Sequence, residues 1–204
     1  MDIQEFKQQY ENDKPILSAW GEFVTEEITK QLKDRLPRNS SIEIFLKIPP
    51  LPRTKTIESL IAKAFYRGKS YKDPYKDITD KVGTRFVVLL LKDIRLIQTI
   101  VEESDIWSFS KDRDFEEERK ENPLSFDYQS VHYILKSTEK FHYNGVDIPD
   151  NVCCELQIRT LLQHAYSELT HDTIYKPTTK ASPDVTRAVS KSMALIETTD
   201  SIFE

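Results

Sequence analysis

The chain has 204 residues, of which 31% are charged and 38% hydrophobic, with a formal net charge of −5. That length supports one compact domain with a core of its own, and the composition excludes a disordered chain. No apolar run is long enough to span a bilayer, and Met1–Lys7 lacks the basic and apolar regions of a secretory signal, so a cytoplasmic protein with no membrane partner is expected. The two cysteines, Cys153 and Cys154, are adjacent, which argues against a disulfide scaffold or a structural zinc site.

In chain order, residues 2–12 and 15–36 read as two helices, the second with apolar positions at Ile16, Leu17, Trp20, Phe23, Val24, Ile28 and Leu32. Ser41–Ile48 alternates as a strand, and Pro49-Pro50-Leu51-Pro52 ends it in an extended connection. Ile57–Arg67 is a helix with Thr56 as its N-cap. Val82–Leu91 is a nearly unbroken apolar run, as in a central strand buried on both faces, and a helix follows over 93–103. Ile106–Phe109 is short and strand-like, and 112–122 is a charged segment ending at Pro123. Gln129–Lys136 is a strand, and Asn144-Gly145 marks a hairpin turn. From Val152 a strand alternates Cys154, Leu156 and Ile158 with Cys153, Glu155, Gln157 and Arg159, and its period turns helical from Thr160, with an apolar stripe at Leu161, Leu162, Ala165, Tyr166 and Leu169. Ser182-Pro183-Asp184 opens a last amphipathic helix through Val185, Ala188, Val189, Leu195, Ile196 and Ile202. One mixed α/β domain over 1–204 is expected, with 1–36 and 182–204 as peripheral helices.

Four segments carry groups suited to a nucleotide. Ser59, Lys63 and Arg67 are spaced by four on one face of the helix after Pro52, and Arg53 and Lys55 precede its N-terminus, where free N–H groups favour anions. A cationic solvated face is the alternative for this helix. Asp80, at the mouth of the buried strand, is placed to hold Mg²⁺, Gly83 permits close backbone approach, and Arg85 lies against a base or a phosphate. Tyr128, Ser130 and His132 share one strand face and form a platform for a base. Glu155 with Asp80 makes two carboxylates, enough to hold a metal and to accept a proton from an attacking hydroxyl.

Arg53-Thr-Lys55, Asp80-Lys-Val-Gly-Thr-Arg85, Tyr128-Gln-Ser-Val-His132 and Glu155-Leu-Gln-Ile-Arg-Thr160, in this order and spacing, resemble the RelA/SpoT synthetase domain, over residues 41–176. The chain is most similar to single-domain small alarmone synthetases. That resemblance implies a nucleotidyltransferase-like mixed sheet and transfer of the β,γ-pyrophosphate of ATP to a ribose 3′-hydroxyl, with release of AMP. It places Arg53 and Arg85 at the adenine, Lys55, Ser59, Lys63 and Arg67 at the phosphates, and Mg²⁺ on Asp80 with help from Glu155. Glu155 would also deprotonate the hydroxyl, and Tyr128 would stack on the acceptor base, with Gln157, His132 and His164 also on the acceptor side. His171-Asp172 mimics a His-Asp metal motif but falls within the last synthetase motif, and is taken as structural.

Alarmone-making members carry lysines and a glycine just before the tyrosine, to grip the acceptor's 5′-phosphates. Here the sequence is Asn122-Pro123-Leu124-Ser125-Phe126-Asp127. The change resembles the toxic FaRel type, which modifies the 3′-terminal adenosine of tRNA. This implies the tRNA CCA end as acceptor, with GDP or GTP as the alternative, and a protein antitoxin as partner. Lys30, Lys33, Lys69 and Lys72 are the candidate tRNA contacts.

Overall fold

The computed structural model describes residues 1–127, 129–170 and 182–204. Helix α1 (Ile3–Arg35) starts at an Asp2 cap that accepts from the Gln4 and Glu5 amides while Glu5 reciprocates in a capping box. Two helices were expected here, broken at Pro15, yet α1 is continuous with Pro15 inside it. The proline removes the amide that the Glu11 carbonyl would accept from, at a cost of about 3 kcal/mol. Burial outweighs that cost: Phe6, Tyr10, Leu17, Trp20, Val24, Ile28 and Leu32, on both sides of Pro15, all enter one core. The Tyr75 hydroxyl also donates to Asp13 at 2.8 Å, pinning the N-terminal half.

Ser41–Ile48 is not the expected strand. Ser41 caps a single helical turn, α2 (Ile42–Phe45), by accepting from the Glu43 amide, and only Ile48 makes a bridge, to Val87. Ile42, Phe45 and Leu46 pack inward at helical spacing while Ile44 is exposed, so the alternation in sequence is coincidental. Next come β1 (Arg53–Thr54), which the sequence reading missed, and α3 (Ile57–Ile61), whose Thr56 cap accepts from the Ser59 amide at 3.3 Å. The expected helix to Arg67 continues as a π-helical turn over Ala62–Tyr66.

After α4 (Pro74–Asp77) come β2 (Val82–Val88), α5 (Leu91–Glu102), β3 (Trp107–Asp114), α6 (Phe115–Glu121), β4 (Val131–Ser137), β5 (Phe141–Tyr143), β6 (Val146–Ile148), β7 (Cys153–Thr160), α7 (Leu161–Thr170) and α8 (Pro183–Ile202). Strand β2 ends three residues before the expected Leu91, and β3 runs to Asp114 rather than Phe109. Its charged residues fit an edge strand, where Lys and Asp discourage pairing with another chain. Asn144 (φ 47°) and Gly145 (φ 80°) make the expected hairpin turn between β5 and β6.

Five strands form a mixed sheet in the order β1-β2-β7-β4-β3, in which β2 and β7 are parallel and the other pairs antiparallel. This is the nucleotidyltransferase-like mixed sheet flanked by helices that the resemblance implied. The core joins α1 and α5 to the sheet through Phe86, Val88, Tyr133, Leu135, Cys154, Leu156 and Ile158. The stripes expected on the last two helices face inward only at Tyr166. On α7 it is Gln163, Tyr166 and Thr170 that are buried, while Leu169 is exposed; on α8 it is Met193 and Asp200, while Leu195 and Ile202 are exposed. Polar contacts dock these helices, which apolar periodicity does not reveal. No helix among the described residues is long and apolar enough to cross a membrane.

Candidate active site

Parallel pairing sets Gly83 opposite Glu155, Arg85 opposite Gln157 and Val87 opposite Arg159, and β4 adds His132 beside Gln157. Successive residues of one strand point to opposite faces, so Glu155, Gln157, Arg159, Arg85 and His132 share one face of the sheet. That face floors a cleft of about 420 Å³, whose lining includes Arg53, Lys55, Asp80, Gly83, Arg85, Glu155, Gln157 and His164. Ile48, Pro49 and Leu51 add an apolar wall that the sequence reading treated only as a connection.

Asp80 is the electrostatic centre. Its Oδ2 accepts from Lys55 and, at 2.7 Å, from Lys63, while its buried Oδ1 takes no hydrogen bond. Burial alone would raise this carboxyl, but the two ammonium groups outweigh it and hold Asp80 below the usual range. Glu155 moves the other way. Burial raises it, Lys55 draws it down, the Asp80 charge pushes it up again, and the net shift is upward. Two carboxylates in one cleft thus shift in opposite directions.

Gln157 is fixed from both ends. Its amide oxygen accepts from Arg159 at 2.6 Å and Arg85 at 3.4 Å, and its amide nitrogen donates to Glu155 Oε2 at 2.8 Å. Arg159 is only 1% exposed, which fits a polar face turned to a site and not to solvent. Arg85 also reaches Glu168 at 3.0 Å and His164 Nδ1 at 3.5 Å. His132 Nδ1 lies 3.6 Å from Glu155 Oε1. Burial, then the charges of Arg159, Arg113 and Arg85, push His132 down to about 3, so this imidazole is neutral at physiological pH.

The cleft therefore brings together Arg53, Lys55, Lys63, Asp80, Arg85, Glu155, Gln157, His132 and His164. It does not gather Ser59, whose hydroxyl accepts from Thr56 at 3.0 Å, or Arg67, exposed beyond the π turn. The π turn breaks the four-residue spacing, which is why Lys63 alone of that row reaches Asp80. Lys30, Lys33, Lys69 and Lys72 are exposed, and Lys30 pairs with Glu27 at 3.3 Å. Tyr128 and His171-Asp172 lie outside the described residues. Lys81, within the second motif, is turned inward and donates to the Tyr75 carbonyl at 2.7 Å and to that of Ile78.

A mixed sheet that presents two carboxylates, lysines and arginines at one cleft defines an enzyme that transfers phosphate-containing groups from a nucleotide. Residues 52–180 match the family model described as "Region found in RelA / SpoT proteins", and the chain belongs to the RelA/SpoT family. It is a pyrophosphotransferase. There is no significant match among curated proteins. Solved structures share the fold. Small alarmone synthetase 1 from Bacillus subtilis superposes with a TM-score of 0.73 at 16% identity, covering 96% of this chain and 94% of that one. The same synthetase bound to its product pppGpp gives 0.70 at 16% identity, with 98% and 95% coverage, and bound to AMPCPP it gives 0.68 at 15%, with 96% and 94%. A GTP pyrophosphokinase family protein from Streptococcus pneumoniae gives 0.72 at 21%, with 96% and 91%.

Proposed function

We propose that the chain transfers the β,γ-pyrophosphate of ATP to the 3′-hydroxyl of the CCA-end adenosine of tRNA, blocks aminoacylation, and acts in the cytoplasm as a toxin neutralised by a protein antitoxin. ATP as donor is supported by the likeness to a synthetase bound to AMPCPP. The wall of Ile48, Pro49 and Leu51 with Arg53 and Arg85 suits an adenine, and Lys55 and Lys63 suit its phosphates.

The cleft fits Mg²⁺. Asp80 Oδ1 is buried without a hydrogen bond and lines the same cleft as Glu155, an oxygen donor pair of the kind that a hard cation takes. Asp80 and Glu155 would hold the ion, with water and phosphate oxygens completing its shell; its chemistry is to neutralise phosphate charge. Glu155 takes the proton of the 3′-hydroxyl as that oxygen bonds to the β-phosphorus. The bond from the β-phosphorus to the α,β-bridging oxygen breaks, and AMP leaves with that oxygen. Gln157 holds Glu155 in place, and Arg85 and Lys63 bear on the charge that develops.

The acceptor side carries the choice of tRNA. In a cavity of about 260 Å³ beside β4, the arginines are committed to carboxylates. Arg113 binds Glu118 through two nitrogens at 2.8–3.0 Å, and Arg119 pairs with Glu197 at 3.4 Å. Leu124 and Phe126 are exposed in the loop where the resemblance to alarmone-making members implies cations. A terminal adenosine has no 5′-diphosphate to be gripped here. GDP or GTP is the second reading, favoured by the likeness to a synthetase bound to pppGpp. Offering γ-labelled ATP with uncharged tRNA and with GDP in separate reactions decides between them. Label on tRNA that is lost on trimming the terminal adenosine supports the first, and label only on GDP overturns it.

A further inference from the structure

Helix α8 lies beyond the residues that match the family, yet it joins the acceptor side of the site through a closed ring of side-chain bonds. Thr160, the last residue of β7, donates from its hydroxyl to Asp200 at 2.7 Å, and its amide donates to Gln163 Oε1 at 3.0 Å. Gln163 Nε2 donates to Gln129 Oε1 at 3.4 Å, and Gln129 Nε2 donates to Glu197 at 2.6 Å. Glu197 and Asp200 sit one turn apart on α8, which closes the ring. Arg119 of α6 joins it through Glu197.

Thr160 and Gln163 are fully buried, and Gln129 and Asp200 nearly so, at 7% and 4% exposure. Buried polar groups that satisfy one another give a defined geometry, and Thr160, Gln163, Gln129 and Asp200 each lose a partner if the ring opens. Gln129 is the member that matters for chemistry. It follows Tyr128 directly and leads into β4, where His132 stands beside Gln157 and Glu155. Thr160 ends the strand that carries Glu155.

We infer that Glu197 and Asp200 make α8 a strut that positions the entry to β4, and hence the acceptor, while leaving the ATP side untouched. This rests on the reading that the acceptor's 3′-hydroxyl approaches Glu155 from the β4 side. The strut acts on whichever acceptor is used. ATP contacts come from β1, the α3 region and β2, none of which belongs to the ring.

The test compares Glu197→Ala, Gln129→Glu and the double swap Gln129→Glu with Glu197→Gln, in the full chain. In the swap a carboxylate at 129 accepts from an amide at 197 and from Gln163, restoring the ring with donor and acceptor exchanged. With the acceptor that the unaltered enzyme labels, each single variant should raise the acceptor KM roughly tenfold, the loss expected for one hydrogen bond to a charged group, while the ATP KM stays within about twofold. The swap should recover most of that loss. Amide exchange over 129–135 reads the ring without any acceptor, and should quicken in the single variants and slow again in the swap. Equal rises in both KM values, an unchanged acceptor KM, or a swap no better than Gln129→Glu alone would overturn the strut. If a single variant fails to fold, recovery in the swap still decides. If the unaltered chain labels neither tRNA nor GDP, it is the functional reading that fails, and exchange alone then judges the ring.

Discussion

Gly83 on β2 lies directly opposite Glu155 on β7, and a Cβ on Gly83 would stand 3.1 Å from the Glu155 carbonyl oxygen and 3.8 Å from its Oε2. The absence of a side chain at 83 keeps the cleft floor open where the carboxylate must work. An alanine there forces the β7 backbone to give by a few tenths of an ångström, which displaces Glu155. Gly83→Ala should lower kcat about tenfold through misplacement of the base, with a small change in thermal midpoint. Steady-state kinetics beside a melting curve checks this, and a large loss of stability with normal kcat would contradict it.

Glu155→Gln should cut kcat by about 10³, the contribution of a positioned base, yet raise the thermal midpoint at pH 7 by about 2 °C. The carboxyl is raised in the folded state by burial, with Lys55 opposing and Asp80 adding to the shift. A group raised on folding contributes stability fully below its unfolded value and loses it as pH climbs through its folded value. At neutral pH, above its unfolded value, the buried Glu155 is therefore a cost, and a neutral isostere that keeps the Gln157 contact relieves it. For the same reason the acid limb of kcat/KM should lie above the ordinary glutamate range. Asp80→Asn should do the reverse to stability. The Asp80 carboxyl is lowered because Lys55 and Lys63 outweigh its burial, so its contribution is present at pH 7 and disappears as acid protonates it.

Lys81→Met should lower the thermal midpoint by about 4–8 °C, equivalent to about 2 kcal/mol for two carbonyls left unpaired in the interior. This lysine lies within the motif Asp80–Arg85, and its ammonium is buried against the Tyr75 and Ile78 carbonyls. Burial also lowers its pKa, as for any desolvated cation. The ATP KM, measured well below the melt, should stay within about threefold, since the loss is one of folding and not of contact.

Lys81 illustrates what the sequence left hidden. The site's carboxylates, its cationic approach and the β7-to-α7 junction were legible because each sits on a strong local signal: a strand mouth, a helix N-terminus, a change of period. The Thr56 cap and the Asn144-Gly145 turn were legible for the same reason. Pro15 within α1, the helical turn at Ile42–Phe45 and the π turn at Ala62–Tyr66 were not, because tertiary packing overrode the local preference. Of the inward faces of α7 and α8 only Tyr166 was foreseen, because Gln163 and Asp200, not leucines, complete the docking. Pairing between distant polar residues leaves no period in the chain.

Arg159→Lys should reduce kcat about tenfold and move the acid limb of kcat/KM upward, with little effect on the ATP KM. The guanidinium donates to the Gln157 amide oxygen at 2.6 Å, which turns the amide nitrogen toward Glu155 at 2.8 Å. A lysine ammonium is a compact charge without the planar fork, and does not hold that oxygen from the same buried position. Held then at its oxygen by Arg85 alone, at 3.4 Å, the Gln157 amide keeps its nitrogen toward Glu155 less firmly. A weaker donated hydrogen bond stabilises the carboxylate less, so the carboxyl ionises less readily and the base is available only at higher pH. A pH–rate profile separates this from simple unfolding, because unfolding lowers the whole curve while loss of Gln157 orientation shifts it along the pH axis.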